Sequence, residues 1–143
     1  MNKKLLKQVK KDPNKVDWDR ITRQNILTES FIKEFQDKLN WDWISFYQTL
    51  SEPFIREFQD KLNWSNISFR QTLSESFINE FQDKLNWNGI SNHQALSDSF
   101  IVKFRDKIDW NVILTNTKLT KPHSKQLQEI INENILISQL ENK

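Results

Sequence analysis

Large apolar residues recur along this chain with one long period, and inside each period they fall into two short helical patterns. Trp18, Trp41, Trp64, Trp87 and Trp110 are spaced by 23 residues, with Ile21, Ile44, Ile67, Ile90 and Ile113 three positions after each Trp and Leu27, Leu50, Leu73, Leu96 and Leu119 nine positions after. The pairs Phe31-Ile32, Phe54-Ile55, Phe77-Ile78 and Phe100-Ile101 follow, then Phe35, Phe58, Phe81 and Phe104, and finally Leu39, Leu62, Leu85 and Ile108. A fixed period of this length is the signature of a repeat architecture.

Each unit reads as two short helices. The first runs about eight residues from the Trp and is preceded by Asp17, Asn40, Asn63, Asn86 or Asp109, side chains that accept hydrogen bonds from the open N–H groups of a first turn. The second opens at Thr28, Ser51, Ser74, Ser97 or Thr120, with Glu29, Glu52, Glu75 or Asp98 next, at the positive end of the helix dipole. Pro53 and Pro122 fall in the first turn, where a missing N–H is harmless. Phe, Ile, Phe and Leu at i, i+1, i+4 and i+8 form one stripe, and Glu34 with Lys38, Glu57 with Lys61 and Glu80 with Lys84 are predicted i,i+4 pairs on the solvated side.

A helix pair this small cannot bury its stripe alone, so neighbouring units must stack. The predicted fold class is all-α: an α-solenoid of short two-helix repeats over residues 16–120, with a helical N-terminal cap in 1–15 and a helical C-terminal cap in 121–143. Leu5, Leu6 and Val9 copy the Phe, Ile, Phe spacing of a second helix, as a half unit would. At the other end His123 and Ser124 replace the Phe-Ile pair and a longer helix carries Leu127, Ile130, Ile131, Ile135 and Leu140.

Comparing the units with one another divides the first helix into two faces. Trp, Ile, Ser or Thr, and mostly Gln (Gln48, Gln71, Gln94) hold one face; there Ser45, Ser68 and Ser91 are small enough for close helix approach, and the Gln side chains are suited to satisfying backbone at the turn before the second helix. The other face changes completely: Asp19, Arg20, Arg23, Gln24; Asp42, Trp43, Phe46, Tyr47; Ser65, Asn66, Phe69, Arg70; Asn88, Gly89, Asn92, His93; Asn111, Val112, Thr115, Asn116. The second helices are near copies, as recent duplication produces. Duplication does not explain change concentrated on one face, and the aromatic and Arg content of the variable row is that of interface hot spots. The candidate partner-binding residues are therefore Trp43, Phe46, Tyr47, Phe69 and Arg70 at the centre, with Arg20, Arg23, Asn66, Asn92 and His93 on a polar rim. A competing reading makes Phe46 and Phe69 wedges between adjacent first helices.

Composition narrows the chemistry. One Gly and three Pro disfavour all-β folds and glycine-rich phosphate loops, and no Cys with two His disfavours thiolate chemistry and metal sites. No nucleophile and base are paired, and the carboxylates repeat with the structural period, so no catalytic residue, metal or cofactor is assigned and the chain reads as a non-enzyme. Lys7, Lys10 and Lys11 interrupt any apolar start, so neither a signal peptide nor a membrane span is predicted, and a cytoplasmic location is the simplest expectation.

Net charge is +2, but residues 1–20 hold seven Lys and Arg against three Asp and Glu, leaving the repeats slightly acidic. That weighs against the runner-up function, single-stranded nucleic-acid binding by stacked bases, which needs a basic track along its length. The basic start, with Lys3, Lys4, Lys7, Lys10 and Lys11, reads as a solvated cap or as a contact to an acidic partner.

Written as Trp-x-x-Ile-Ser-x-x-Gln-x-Leu-Ser-Glu-x-Phe-Ile-x-x-Phe-x-x-Lys-Leu-Asn, as in residues 64–86, the unit resembles that of tandem-repeat proteins encoded by giant DNA viruses and some bacteriophages. The resemblance covers about residues 16–120 and carries over no active site. It implies a viral or mobile-element origin, and with it a small binding protein that occludes a host or defence protein inside the host cell. Self-association through the same rings is the remaining partner class.

Overall fold

The computed structural model describes residues 3–119 and 123–141, and among them every regular element is helical. The elements are α1 (Lys3–Lys11), a 3-10 turn (Pro13–Lys15), α2 (Trp18–Gln24), α3 (Glu29–Glu34), α4 (Trp41–Tyr47), α5 (Glu52–Glu57), α6 (Trp64–Arg70), α7 (Glu75–Glu80), α8 (Trp87–His93), α9 (Asp98–Lys103), α10 (Trp110–Ile113) and α11 (Lys125–Glu141). They divide into two compact units, Met1–Gln71 and Thr72–Lys143, so the boundary falls inside the third repeat, between α6 and α7. The fold is an all-α repeat. In the first unit α2 packs on α4 and α4 on α6; in the second α8 packs on α10, and α11 packs on α9 and α10.

The caps form as the sequence predicts. Asp17, Asn40, Asn63, Asn86 and Asp109 accept from first-turn N–H groups of the first helices, and the hydroxyls of Thr28, Ser51, Ser74 and Ser97 accept from the N–H of Phe31, Phe54, Phe77 and Phe100. Six- and seven-residue helices are too short to persist alone, so contacts between repeats carry the fold.

In the first unit those contacts form a ladder of polar and apolar rungs. Gln48 is buried; its Oε1 accepts from the Leu27 N–H at 2.8 Å, and its Nε2 donates to the carbonyls of Thr22 and Asn25 in the preceding repeat. Gln71 repeats the device on Leu50, Ser45 and Gln48. Buried Ser45 does more than permit close approach: its Oγ donates to the Trp41 carbonyl and accepts from the Asn63 N–H of the next repeat at 2.9 Å. Glu29 accepts from the N–H of Ser51, the cap residue one repeat on. Around these rungs Ile21, Ile32, Ile44, Ile55 and Ile67 are buried.

Two expectations are corrected here. The second helices stop after six residues; Phe35 and Phe58 cap their C-termini, and the chain turns before Leu39 and Leu62 return to the core. Because Lys38 and Lys61 therefore lie beyond the helix, the predicted pairs of Glu34 with Lys38 and Glu57 with Lys61 give way to links between repeats: Glu34 with Lys10, Glu57 with Lys33, Lys38 with Asn14 and Lys61 with Gln36. The periodic Trp residues are half-buried. Each indole N–H donates to the carbonyl five residues earlier, from Pro13, Gln36, Gln59, Gln82 and Arg105. Trp41 stacks on Phe58 at 5.1 Å between centroids, and Trp18 meets Phe35 in a tilted contact at 5.2 Å.

α1 occupies the place of a second helix. Val9 is buried, and Lys10 reaches Glu34 as Lys33 reaches Glu57 one repeat later. The side chain of Leu5 lies outside the described residues.

The second unit repeats the ladder and then ends it. Gln94 accepts from the Leu73 N–H, Ser91 accepts from the Asp109 N–H, and Glu75 accepts from the Ser97 N–H. In the last repeat the clamp passes to Asn116, whose Nδ2 donates to the carbonyls of Ser91 and Gln94, both at 2.8 Å. Asn116 and Gly89, assigned from sequence to the variable solvent face, are both buried; α10 has only four residues, so its clamp residue arrives one position early. The final helix starts later than the period predicts. Thr120 and Pro122 lie outside the described residues, and Ser124 serves as the cap, its hydroxyl accepting from the Leu127 N–H. Leu127 and Ile131 then hold the buried registers of Phe100 and Phe104, while the side chain of Leu140 lies outside the described residues.

Ser124 docks as Ser97 does one repeat earlier, its N–H donating to the Asp98 carboxylate, with His123 Nδ1 3.1 Å from the other carboxylate oxygen. Burial pushes the Asp98 carboxyl up. Hydrogen bonds from the Ser124 N–H, the His123 ring and the Ser124 hydroxyl, with the charge of His123, outweigh that effect and hold it below its ordinary value.

Candidate functional site

The first unit presents three first helices whose outward residues share no common identity. α2 carries Arg20 and Arg23, α4 carries Trp43, Phe46 and Tyr47, and α6 carries Asn66, Phe69 and Arg70. Packing of α4 between α2 and α6 brings five of these side chains into one line. The Arg23 guanidinium lies 5.6 Å from the Trp43 ring centroid. Trp43 meets Tyr47 at 5.7 Å, Tyr47 meets Phe46 edge-on at 4.8 Å, and the Arg70 guanidinium lies 3.9 Å from the Phe46 centroid. Three rings in mutual contact, with a guanidinium on the ring at each end, thus cross three repeats, each contact in the range of favourable cation–π or aromatic geometry.

Exposure along this line is graded. Tyr47 is 47% exposed, Arg20, Arg23 and Arg70 are exposed, and Trp43, Phe46 and Phe69 are half-buried. Phe46 therefore shares both roles weighed from sequence, since its ring is covered in part by a side chain of the neighbouring first helix and in part open. Arg20 lies along its own helix with Nε donating to Gln24, and Arg23 Nε donates to the Asp19 carbonyl.

The rim residues diverge. Asn66 links repeats, its Nδ2 donating to the Asp42 carbonyl at 3.4 Å beside the bond from Asn63 to the Asp42 carboxylate. Asn92 and His93 belong to α8 of the second unit, where both are half-buried.

Sequence reasoning missed Ile26, which is 85% exposed between α2 and α3. A signal was present: Thr49, Thr72, Ala95 and Lys118 hold the same register in the other repeats, so a large aliphatic group there is out of pattern. Ile135, Leu136 and Ile137 on α11 are also exposed.

Among the described residues no three His, Asp or Glu side chains gather in a way that would hold a metal ion. A cavity of ≈ 330 Å³ in the second unit is lined by Arg105, Asp106, Trp110, Ile130, Glu133 and Asn134. It lies beside the one periodic Trp whose following helix carries no aromatic residue. No helix among the described residues is long and apolar enough to cross a membrane. No protein-family model, curated protein or solved structure matches this chain.

Proposed function

We propose that this chain is a non-enzymatic protein-binding scaffold that acts by occupancy, with the Arg23, Trp43, Tyr47, Phe46 and Arg70 line as the centre of its contact surface. The observation that carries this reading is the continuity of that line over three repeats, in registers that the α8 repeat of the second unit fills with Gly89, Asn92 and His93 instead. Large rings flanked by Arg are the composition of binding hot spots, and rings partly held by neighbouring side chains lose little conformational freedom when a partner arrives. The buried Ser and Gln rungs rest on residues other than those of the line, so the line's side chains can change while those rungs are kept.

With the repeat resemblance as its only support, the further step is that the chain is of viral or phage origin and occludes a host or defence protein in the cytoplasm. Affinity capture from host lysate tests the binding reading, using wild type beside a Trp43→Ala/Tyr47→Ala variant, with nuclease added to half of each sample. A protein retained by wild type alone and indifferent to nuclease supports it. Recovery that disappears with nuclease favours single-stranded nucleic acid and overturns it.

A further inference from the structure

Cations on the two sides of the first unit are treated differently. On the second-helix side the ammonium groups are engaged: Lys10 with Glu34, Lys33 with Glu57, Lys38 with Asn14 and Lys61 with Gln36. On the first-helix side, among the described residues, Arg20, Arg23 and Arg70 make no ion pair; their contacts are the Gln24 amide, the Asp19 carbonyl with the Trp43 ring, and the Phe46 ring. Asp19 stands one turn before Arg23 on α2 yet forms no ion pair with it among the described residues, Asp42 stands in the first turn of α4, and Arg70 stands in the last turn of α6. Between the two Arg residues sits Tyr47, the most open of the rings.

From this charge arrangement, and resting on the protein-binding reading above, we infer that the occupant is an acidic peptide segment of a partner protein. Its carboxylates meet the Arg23 and Arg70 guanidiniums, and an apolar side chain between them lies on Tyr47 and Trp43. A guanidinium stacked on a ring is fixed in plane but keeps its edge N–H groups, the geometry that grips a carboxylate bidentately. A nucleic acid fits less well, because guanidiniums already occupy faces of Trp43 and Phe46 on which bases would stack. Arg23 and Arg70 stand on helices two spacings apart, at most roughly 20 Å. Extended chain covers that distance in about six residues. The segment therefore carries two acidic residues no more than that far apart, flanking an aliphatic or aromatic one.

The test is selection from a display library of random peptides on the full-length protein, followed by fluorescence anisotropy of the selected peptides. Binding is compared for wild type, Trp43→Ala/Tyr47→Ala, Arg23→Gln/Arg70→Gln and Arg23→Lys/Arg70→Lys, with thermal midpoints measured alongside and single-stranded oligothymidylate as competitor. The expected result is enrichment of Glu and Asp around an apolar residue, with affinity falling about tenfold or more in the Gln variant and only partly restored by Lys, at unchanged midpoints. Selected peptides that lack acidic residues but lose binding in the Trp43/Tyr47 variant would overturn the acidic-segment inference and leave the protein-binding reading standing. Binders indifferent to all three variants, or displaced by oligothymidylate, would overturn both.

Discussion

The two units share one scaffold and differ in what they display on it. Both join repeats through a buried amide clamp, Gln48 and Gln71 in the first and Gln94 and Asn116 in the second, and both use a Ser hydroxyl and an acidic side chain as acceptors for the next repeat. On the outer face of the first helices, however, the first unit carries linked rings and guanidiniums, and the second carries Asn88, Asn92, His93 and Asn111. Repeat architecture allows this because each unit's contribution to stability lies in its interfaces with neighbours. A position outside those interfaces is released to change.

The largest expected effect lies in the shared part. Gln48→Ala strands the buried Leu27 N–H and the carbonyls of Thr22 and Asn25, a loss of about 4 kcal/mol from several unsatisfied groups together. Gln94→Ala should behave alike, and equilibrium unfolding in denaturant checks whether the two units depend equally on the clamp. Next comes Trp41→Ala, which removes the stack on Phe58 and the bond to the Gln36 carbonyl; its half-burial puts the loss near the low end of the Trp range, about 3 kcal/mol in the same assay.

Smaller effects separate the faces. Trp43→Ala/Tyr47→Ala should weaken partner binding by about 2 kcal/mol or more, read by titration calorimetry, while Asn92→Ala in the second unit leaves affinity unchanged. In acid, Asp98 sharpens the comparison within the second unit. Its carboxyl sits below the ordinary value in the folded chain, so its contribution is present above the pH where an unfolded Asp titrates and is lost as pH falls through the lower, folded value. Protection of the α11 amides relative to their intrinsic exchange rates should therefore fall below roughly pH 4, and Asp98→Asn should remove most of that dependence. The smallest effect is Ile26→Ser, whose exposed side chain predicts a stability change within about 0.5 kcal/mol by thermal unfolding.

Much of the scaffold is legible in the sequence because periodic spacing and cap chemistry agree with each other. Asp17, Asn40 and Asn63 mark first helices, and Thr28, Ser51 and Ser74 mark second helices, where the caps are found. What escaped detection is set by partners distant in sequence. The i, i+1, i+4, i+8 stripe fits a continued helix as well as a helix that ends at Phe35 and turns to bury Leu39, and nothing local distinguishes them. Lys33 pairs with a carboxylate 24 residues away, and Asn116 is buried because its helix is short. At the candidate site the residue types were readable from unit-to-unit variation. The stacking of Arg23 on Trp43 and Arg70 on Phe46 depends on how neighbouring first helices pack, which the pattern alone does not specify.

The central claim is that the clamp holds the fold and the ring line does not. Thermal unfolding of wild type, Gln48→Ala and Trp43→Ala/Tyr47→Ala, recorded together, tests it most directly. The account predicts a midpoint lowered by roughly 10 °C or more for Gln48→Ala and nearly unchanged for the double variant; comparable lowering in both would contradict it.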